Sequence, residues 1–216
     1  MIQAITLLAA IPGFDSVWGF FQKGGIFMIP LGITCIAGLM AIVYKFLSLG
    51  GDRVIPVGLA REIATLDPDT STAAIREFQE GKSTLARLGA VAVKHRGKPG
   101  AKITAAIEAA AREETVHLHS GIGILDIVIT IAPLLGLVGT ASGLVVIFEG
   151  LGDTSDHTVI SRGIAEALST TIFGIAIAVP AVIAHGYFHR KIEKLTARLE
   201  SLLADLTRAV ERPERP

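Results

Sequence analysis

Residues 122–148 read IGILDIVITIAPLLGLVGTASGLVVIF. The run exceeds the ~20 apolar residues that cover a bilayer core at ~1.5 Å of helix rise each. Down one side of it recur Asp126, Thr130, Pro133, Gly136, Thr140 and Gly143, spaced three or four apart, which is the period of one helix face. A helix facing only lipid has no use for such a stripe, because a polar group in hydrocarbon needs a partner or water. A second apolar segment, 163–187, carries one acid, Glu166, followed by Ser169, Thr170 and Thr171. Two membrane helices with facing polar stripes point to a bundle built around an ion path.

Half of the 216 residues are hydrophobic and the mean hydropathy is +0.56. These residues concentrate in three blocks rather than in amphipathic patches, so the fold class expected is an all-α membrane protein with three transmembrane helices. Twenty basic and twenty acidic residues balance to zero net charge. That argues against nucleic acid as a partner, since binding phosphates needs a basic surface. The single cysteine, Cys35, lies inside the first block and permits no intramolecular disulfide. No metal-ligand spacing occurs: His117 and His119 are two apart on an expected helix and point in different directions. No cofactor motif is present, and no nucleophile–base pair or phosphate loop that would mark an enzyme. The first fourteen residues, MIQAITLLAAIPGF, are apolar without a preceding Lys or Arg, and read as a retained amphipathic or interfacial segment.

The first span is expected at about 24–44, bracketed by Lys23 and Lys45 and kinked near one end by Pro30. The second falls at about 122–148 and the third at about 160–187. Segment 45–119 carries 11 Lys and Arg residues and the tail 188–216 carries seven, whereas 1–22 and 149–159 carry none. The positive-inside bias therefore places the amino terminus and the 149–159 loop in the periplasm and the long segment and tail in the cytoplasm. The expected organisation is a periplasmic segment 1–18, a first membrane segment 19–49 and a cytoplasmic helical domain 50–119. A second membrane segment 120–148, a loop 149–159, a third membrane segment 160–188 and a cytoplasmic helix and tail 189–216 follow.

Within the cytoplasmic part, 56–66 and 71–80 read as short helices around the turn DPDT at 67–70, and HRGKPG at 95–100 is a second break. The following stretch AKITAAIEAAAREETVHLH is rich in helix formers and is expected to run without interruption into the second span. In the tail, Ile192, Leu195, Leu199, Leu202, Leu206 and Val210 make an amphipathic helix that continues the third span. Neither the 103–118 stripe nor the 192–210 stripe has an evident partner within one chain of this shape, so both predict packing against other subunits.

Counting inward from the outer ends, Thr140 and Glu166 lie roughly 12 and 9 Å deep at ~1.5 Å per residue, close enough to meet at one level of an antiparallel pair. No basic residue within the apolar core of the third span neutralises Glu166, which must face water, pair, or stay protonated. Ser169 and Thr170 extend its face inward; Thr171 lies one step aside. Each hydroxyl has the alternative of bonding the carbonyl four residues back. Asp126, four turns from Thr140, is either a pore-mouth acid or a solvated interfacial charge. Gly136, Gly139 and Gly143 thin the second span for close helix approach, and Pro133 and Pro180 are expected to bend the two helices.

The segments APLLGLVGTASGL at 132–144 and IAEALSTTIFGIAIAVPAV at 164–182 resemble the signature segments of the MotA/TolQ/ExbB proton-channel family. GGIFMIPLGI at 24–33 resembles the family's first span. The likeness covers essentially residues 17–210 and lies closest to the ExbB/TolQ branch, because the flagellar branch has an additional span. It implies a homopentamer in the bacterial inner membrane enclosing two copies of a single-span partner of the ExbD/TolR kind, whose aspartate takes the proton. A TonB- or TolA-like protein would be a further partner. By the same resemblance the functional threonines and glutamate fall on Thr140, Thr171 and Glu166. Asp126 departs from the pattern, where relatives carry a small or apolar residue. The function implied is a stator that couples proton motive force to work in the periplasm, supporting TonB-dependent or Tol-type transport. A sodium-driven version, and a non-conducting scaffold that anchors a partner complex, are the alternatives.

Overall fold

A computed structural model of the chain describes residues 26–64, 78, 80–150 and 157–210, with the side chains at 64, 150, 157, 159, 162, 166 and 210 outside that description. The expected amino-terminal segment 1–18, the turn at 67–70, most of the helix at 71–80 and most of the loop at 149–159 lie outside the described residues. Among the described residues the secondary structure is helical, with no strand. The elements are α1 (Met28–Ser48), α2 (Gly51–Val54), α3 (Val57–Ala64), α4 (Thr84–Lys94), α5 (Gly100–His119), α6 (Ile122–Gly150) and α7 (His157–Val210). Three helical stretches are long and apolar enough to cross a membrane: Met28–Ser48, Gly100–Glu149 and Gly163–Ala209. The chain divides into two compact units, one from Met1–Ile42 and Ile124–His185, the other from Val43–Gly123 and Gly186–Pro216.

In the first unit α1, α6 and α7 pack through Met28, Leu31 and Ala132, with Leu135, Phe173 and Ile177 against them. Gly38 of α1 faces Val128 of α6, where a Cβ would come within 3.2 Å of a valine methyl. Much of the remaining surface is apolar: Ile29, Ile33 and Ile36 on α1, Ile127, Leu134 and Leu137 on α6, and Ile172, Val179 and Ile183 on α7 are all exposed. Water would make this surface costly, whereas lipid tails or neighbouring subunits cover it without penalty. Pro30, expected to kink the first span near one end, stands near the amino end of α1. It sits in the first turn, where the N–H it lacks has no intrahelical acceptor. Helical structure continues across Pro133 and Pro180.

The second unit is an ordinary packed core. Ser83 caps α4 by accepting the Ala86 N–H at 3.1 Å, and Leu85, Leu88 and Ala92 are buried on that helix beside Ile103 and Ile107 of α5. Phe78 lies over Gly89, in the space a Cβ would need. Arg87 joins α4 to α5 through a two-pronged contact with Glu114, Nε to Oε1 at 2.6 Å and Nη2 to Oε2 at 2.5 Å.

Two expectations are corrected here. The 103–118 helix does not run on into α6: it stops at His119, Ser120 is extended, and Gly121 takes a φ of +82° before α6 begins. That left-handed conformation is one glycine adopts without steric cost, so Ser120–Gly121 is a helix stop. The apolar stripes of α5 and of the tail of α7 also need no other subunit. Ile103, Ile107 and Leu118 on the first, and Ile192, Leu199, Leu202 and Leu206 on the second, are already buried within the chain. Both helices line one cavity of about 950 Å³, with Thr104, Ile107 and Thr115 on one wall and Thr196, Leu199 and Leu203 on the other. The tail itself follows the third span without a break to Val210, as its periodicity predicts.

Candidate ion path between the second and third spans

Three small residues let α6 and α7 approach. A Cβ on Gly136 would fall 2.8 Å from the Thr170 carbonyl oxygen and 2.9 Å from the Thr171 Cα. One on Gly174 would fall 2.5 Å from the Ala132 carbonyl oxygen, and one on Gly143 would fall 2.8 Å from the Ala167 Cβ. Real Cβ atoms do not come so near another heavy atom, so a larger residue at these points requires a helix to move.

The close approach brings hydroxyls of the two helices together. Thr140 Oγ1 lies 3.1 Å from Thr171 Oγ1. Thr140 also donates to its own helix, with the Leu137 carbonyl at 2.7 Å and the Gly136 carbonyl at 3.3 Å. The Gly136 carbonyl oxygen is in turn within reach of Thr171 Oγ1 at 2.9 Å and Thr170 Oγ1 at 3.1 Å. Each threonine carries one hydroxyl proton, and more acceptors surround these three than there are protons. Each hydroxyl hydrogen can therefore turn between alternative acceptors while the oxygens stay in place, and Thr140 and Thr171 are only half-buried.

Not every candidate joins this cluster. Thr170 is buried and has the Ala167 carbonyl at 2.7 Å as well, so it serves as packing against Gly136 and Gly139. Ser169, also buried, bonds back to the Ala165 carbonyl at 2.7 Å, the local arrangement common to membrane serines. Thr171, set aside by helical spacing alone, is the residue that meets Thr140. Glu166 lies in α7, but its side chain is outside the described residues. Its backbone stands five residues, or ~7.5 Å of axis, from Thr171, beside the Gly143–Ala167 contact and not at the level of Thr140. Asp126 is neither alone nor simply solvated: its Oδ1 lies 2.9 Å from Nε2 of His185 on α7. His185 was not singled out by the sequence, although a lone histidine near the end of an apolar span was a signal that could have found it. No group of three or more metal-ligating side chains occurs among the described residues.

Apolar helices long enough to span a bilayer, closed on one another by glycines around a polar contact, define a membrane protein of the transport and channel class. The family model of the MotA/TolQ/ExbB proton channel family matches residues 71–201, and the chain belongs to that family. It is 30% identical to the biopolymer transport protein ExbB of Pseudomonas putida over 91% of this chain and 64% of the relative. It is 33% identical to the Tol-Pal system protein TolQ of Pseudomonas aeruginosa over 61% of this chain and 57% of that protein. Over 43% of this chain and 42% of the relative it is 35% identical to the biopolymer transport protein exbB1 of Vibrio cholerae. The ExbB/TolQ branch is thus the one it resembles, and that is not an enzyme family. The chain spans about two thirds or less of the length of these relatives.

Proposed function

We propose that this chain is the channel-forming subunit of a proton-driven transducer of the ExbB/TolQ kind. Five copies surround two copies of a single-span ExbD/TolR-like partner in the inner membrane, with the amino terminus periplasmic and the basic segment 50–119 and tail 189–216 cytoplasmic. Protons pass along Thr140 and Thr171, with Glu166 the acid on the outer side, and the resulting movement of the partner does work in the periplasm on a TonB- or TolA-like protein. The observation that carries this reading is the Thr140–Thr171 contact, between two apolar helices that Gly136 and Gly174 allow to approach closely. A proton crossing ~100 mV gains ~2.3 kcal/mol, so two or three supply enough to repack a helix contact.

The test is proton flux in proteoliposomes holding this chain and its partner. Thr140→Val and Thr171→Val keep the shape and remove only the hydroxyl; both are expected to abolish most of the flux while the oligomer, seen by native mass spectrometry, stays intact. Glu166→Gln is expected to do the same, with Glu166→Asp retaining part. Wild-type flux through all of these variants would leave the hydroxyls as helix-bonded residues and put the proton path elsewhere in the complex. Monomers alone under gentle conditions would remove the pentamer.

A further inference from the structure

A second polar bridge joins α6 to α7 in the first unit, away from the threonine cluster, and the two share a register. From Thr140 back to Asp126 is fourteen residues along α6, and from Thr171 forward to His185 is fourteen along α7. Fourteen residues are close to four whole turns, so each partner returns to the face it left, ~21 Å further on. At one end hydroxyl meets hydroxyl at 3.1 Å, and at the other carboxylate meets imidazole at 2.9 Å. Between them the contact face of α7 is narrow, with Gly174, Ala178 and Ala181 buried.

The carboxylate–imidazole bridge is poorly suited to holding the helices together. Its side chains are 59% and 30% exposed, and an ion pair so open to solvent contributes little to stability. Gly136 and Gly174 already fix the helix contact. The bridge offers what proton exchange needs in geometry: an imidazole nitrogen, able to donate or accept, at hydrogen-bond distance from a carboxylate and open to water. Among the described residues of this unit, α1 carries no charge, and the other titratable or charged positions, Glu149, His157, Arg162 and Glu166, lie at the far ends of α6 and α7. One turn further along α7, His189 is matched with Glu193 at 3.4 Å.

We propose that Asp126 and His185 form a proton-exchange site at the inner end of the ion path. This builds on the conducting role proposed above. The neutral imidazole of His185 takes one proton arriving through the water of the path and becomes imidazolium against the Asp126 carboxylate. It then returns one proton to cytoplasmic water, so the site is restored with no other reactant consumed. Thr130 steadies the first turn beyond the acid by donating to the Asp126 carbonyl oxygen at 3.0 Å.

The experiment uses the full chain with its single-span partner in proteoliposomes, measuring proton flux towards the cytoplasmic face. His185→Ala is expected to lower flux by roughly tenfold or more, since positioned proton-transfer groups contribute ~100-fold or more where transfer limits the rate. Millimolar imidazole at the cytoplasmic face is expected to restore much of that loss. His185→Gln, which keeps a hydrogen bond to Asp126 but cannot exchange a proton, should be as deficient as the alanine variant. Asp126→Asn, which keeps a hydrogen-bonding side chain but removes the carboxylate, should lower flux as well. Recovery in His185→Gln, or a His185→Ala defect that imidazole leaves untouched, would make the bridge a clamp and overturn the proposal. If wild type conducts and His185→Ala conducts equally with the same pH profile, only the exchange site falls. If wild type carries no flux at all, the conducting role falls and the exchange site with it.

Discussion

The ammonium of Lys45 donates a hydrogen bond to the Leu118 carbonyl oxygen at 2.7 Å, and the lysine is wholly buried in making it. Leu118 is in the last turn of α5, where carbonyls have no intrahelical donor; its neighbours Val116 and His117 are served by the Ser120 N–H. A cation at a helix carboxyl end is favoured both by the freed carbonyls and by the helix dipole. Lys45 therefore ties the end of the first span to the end of α5.

Lys45→Met keeps the volume of the stem and removes the donor. The Leu118 carbonyl is then left without a side-chain partner in a buried place, which costs about 1–3 kcal/mol. The variant is expected to lower the thermal midpoint in detergent by several degrees. Lys45→Arg should do no better, since a wider planar fork in a wholly buried place must displace its neighbours to reach the carbonyl. An unchanged midpoint in both would show that the bond is not stabilising.

Gly121 is the hinge of the same corner. Its φ of +82° is one that residues with a Cβ reach only at a cost of roughly 1–2 kcal/mol. Gly121→Ala should destabilise the protein by about that amount although the Tyr44 ring, at 3.5 Å, leaves room for a methyl. Gly186→Ala is the control, because nothing lies within 4 Å of its Cβ position and alanine suits a helix interior better than glycine. Equal midpoints for the two variants would mean that the Gly121 conformation is not enforced.

The spans and the long tail helix were legible because hydrophobicity and period are local properties, and α6 reads almost the same from sequence as from structure. The stop at Ser120–Gly121 was legible in principle, but a strong run of helix formers on one side and an apolar run on the other masked it. What period alone could not supply was the pairing of helices. Ile103 and Ile107 on one stripe and Leu199 and Leu206 on the other are buried within a single chain, which depends on how the chain turns back. The same holds within the membrane helices: Thr140 was identified from its stripe, but its partner was Thr171, not the Glu166 level, because register is fixed by Gly136 and Gly174. Lys45 read as a charge at a membrane edge, and only the fold places Leu118 against it.

Arg87 and Glu114 form the best-defined ion pair of the second unit, and the hydrogen bond to Glu114 raises the arginine above its ordinary range. A group whose folded value is raised contributes stability fully below its unfolded value and loses it only as pH climbs through the folded one. Both lie far above neutral, so the arginine side of the pair should give no pH dependence between about pH 6 and 9. Arg87→Lys loses the two-pronged geometry and the donation to the Lys82 carbonyl at 3.0 Å. Because the guanidinium is half exposed, the expected cost is modest, about 0–1 kcal/mol. Titrating the thermal midpoint of wild type and Arg87→Lys against pH and salt checks both statements; a difference that changes steeply across neutral pH would contradict the first.

Gly136→Ala and Gly174→Ala test whether the hydroxyl contact depends on helix approach. An alanine methyl at 136 meets the Thr170 carbonyl at 2.8 Å and one at 174 meets the Ala132 carbonyl at 2.5 Å, both backbone atoms that no rotamer change can move aside. The helices must separate by some tenths of an ångström or more, at a cost of about 1–3 kcal/mol for overpacking. Thr140 and Thr171, already 3.1 Å apart, then fall outside hydrogen-bond reach. Both variants are expected to lose proton flux more completely than they lose folded protein. Thr170→Val separates packing from conduction: it removes a buried hydroxyl bonded to Gly136 and Ala167, and should lower stability by about 1 kcal/mol while Thr140 and Thr171 keep conducting. Full flux in Gly136→Ala with a stable oligomer would show that protons do not need the Thr140–Thr171 contact.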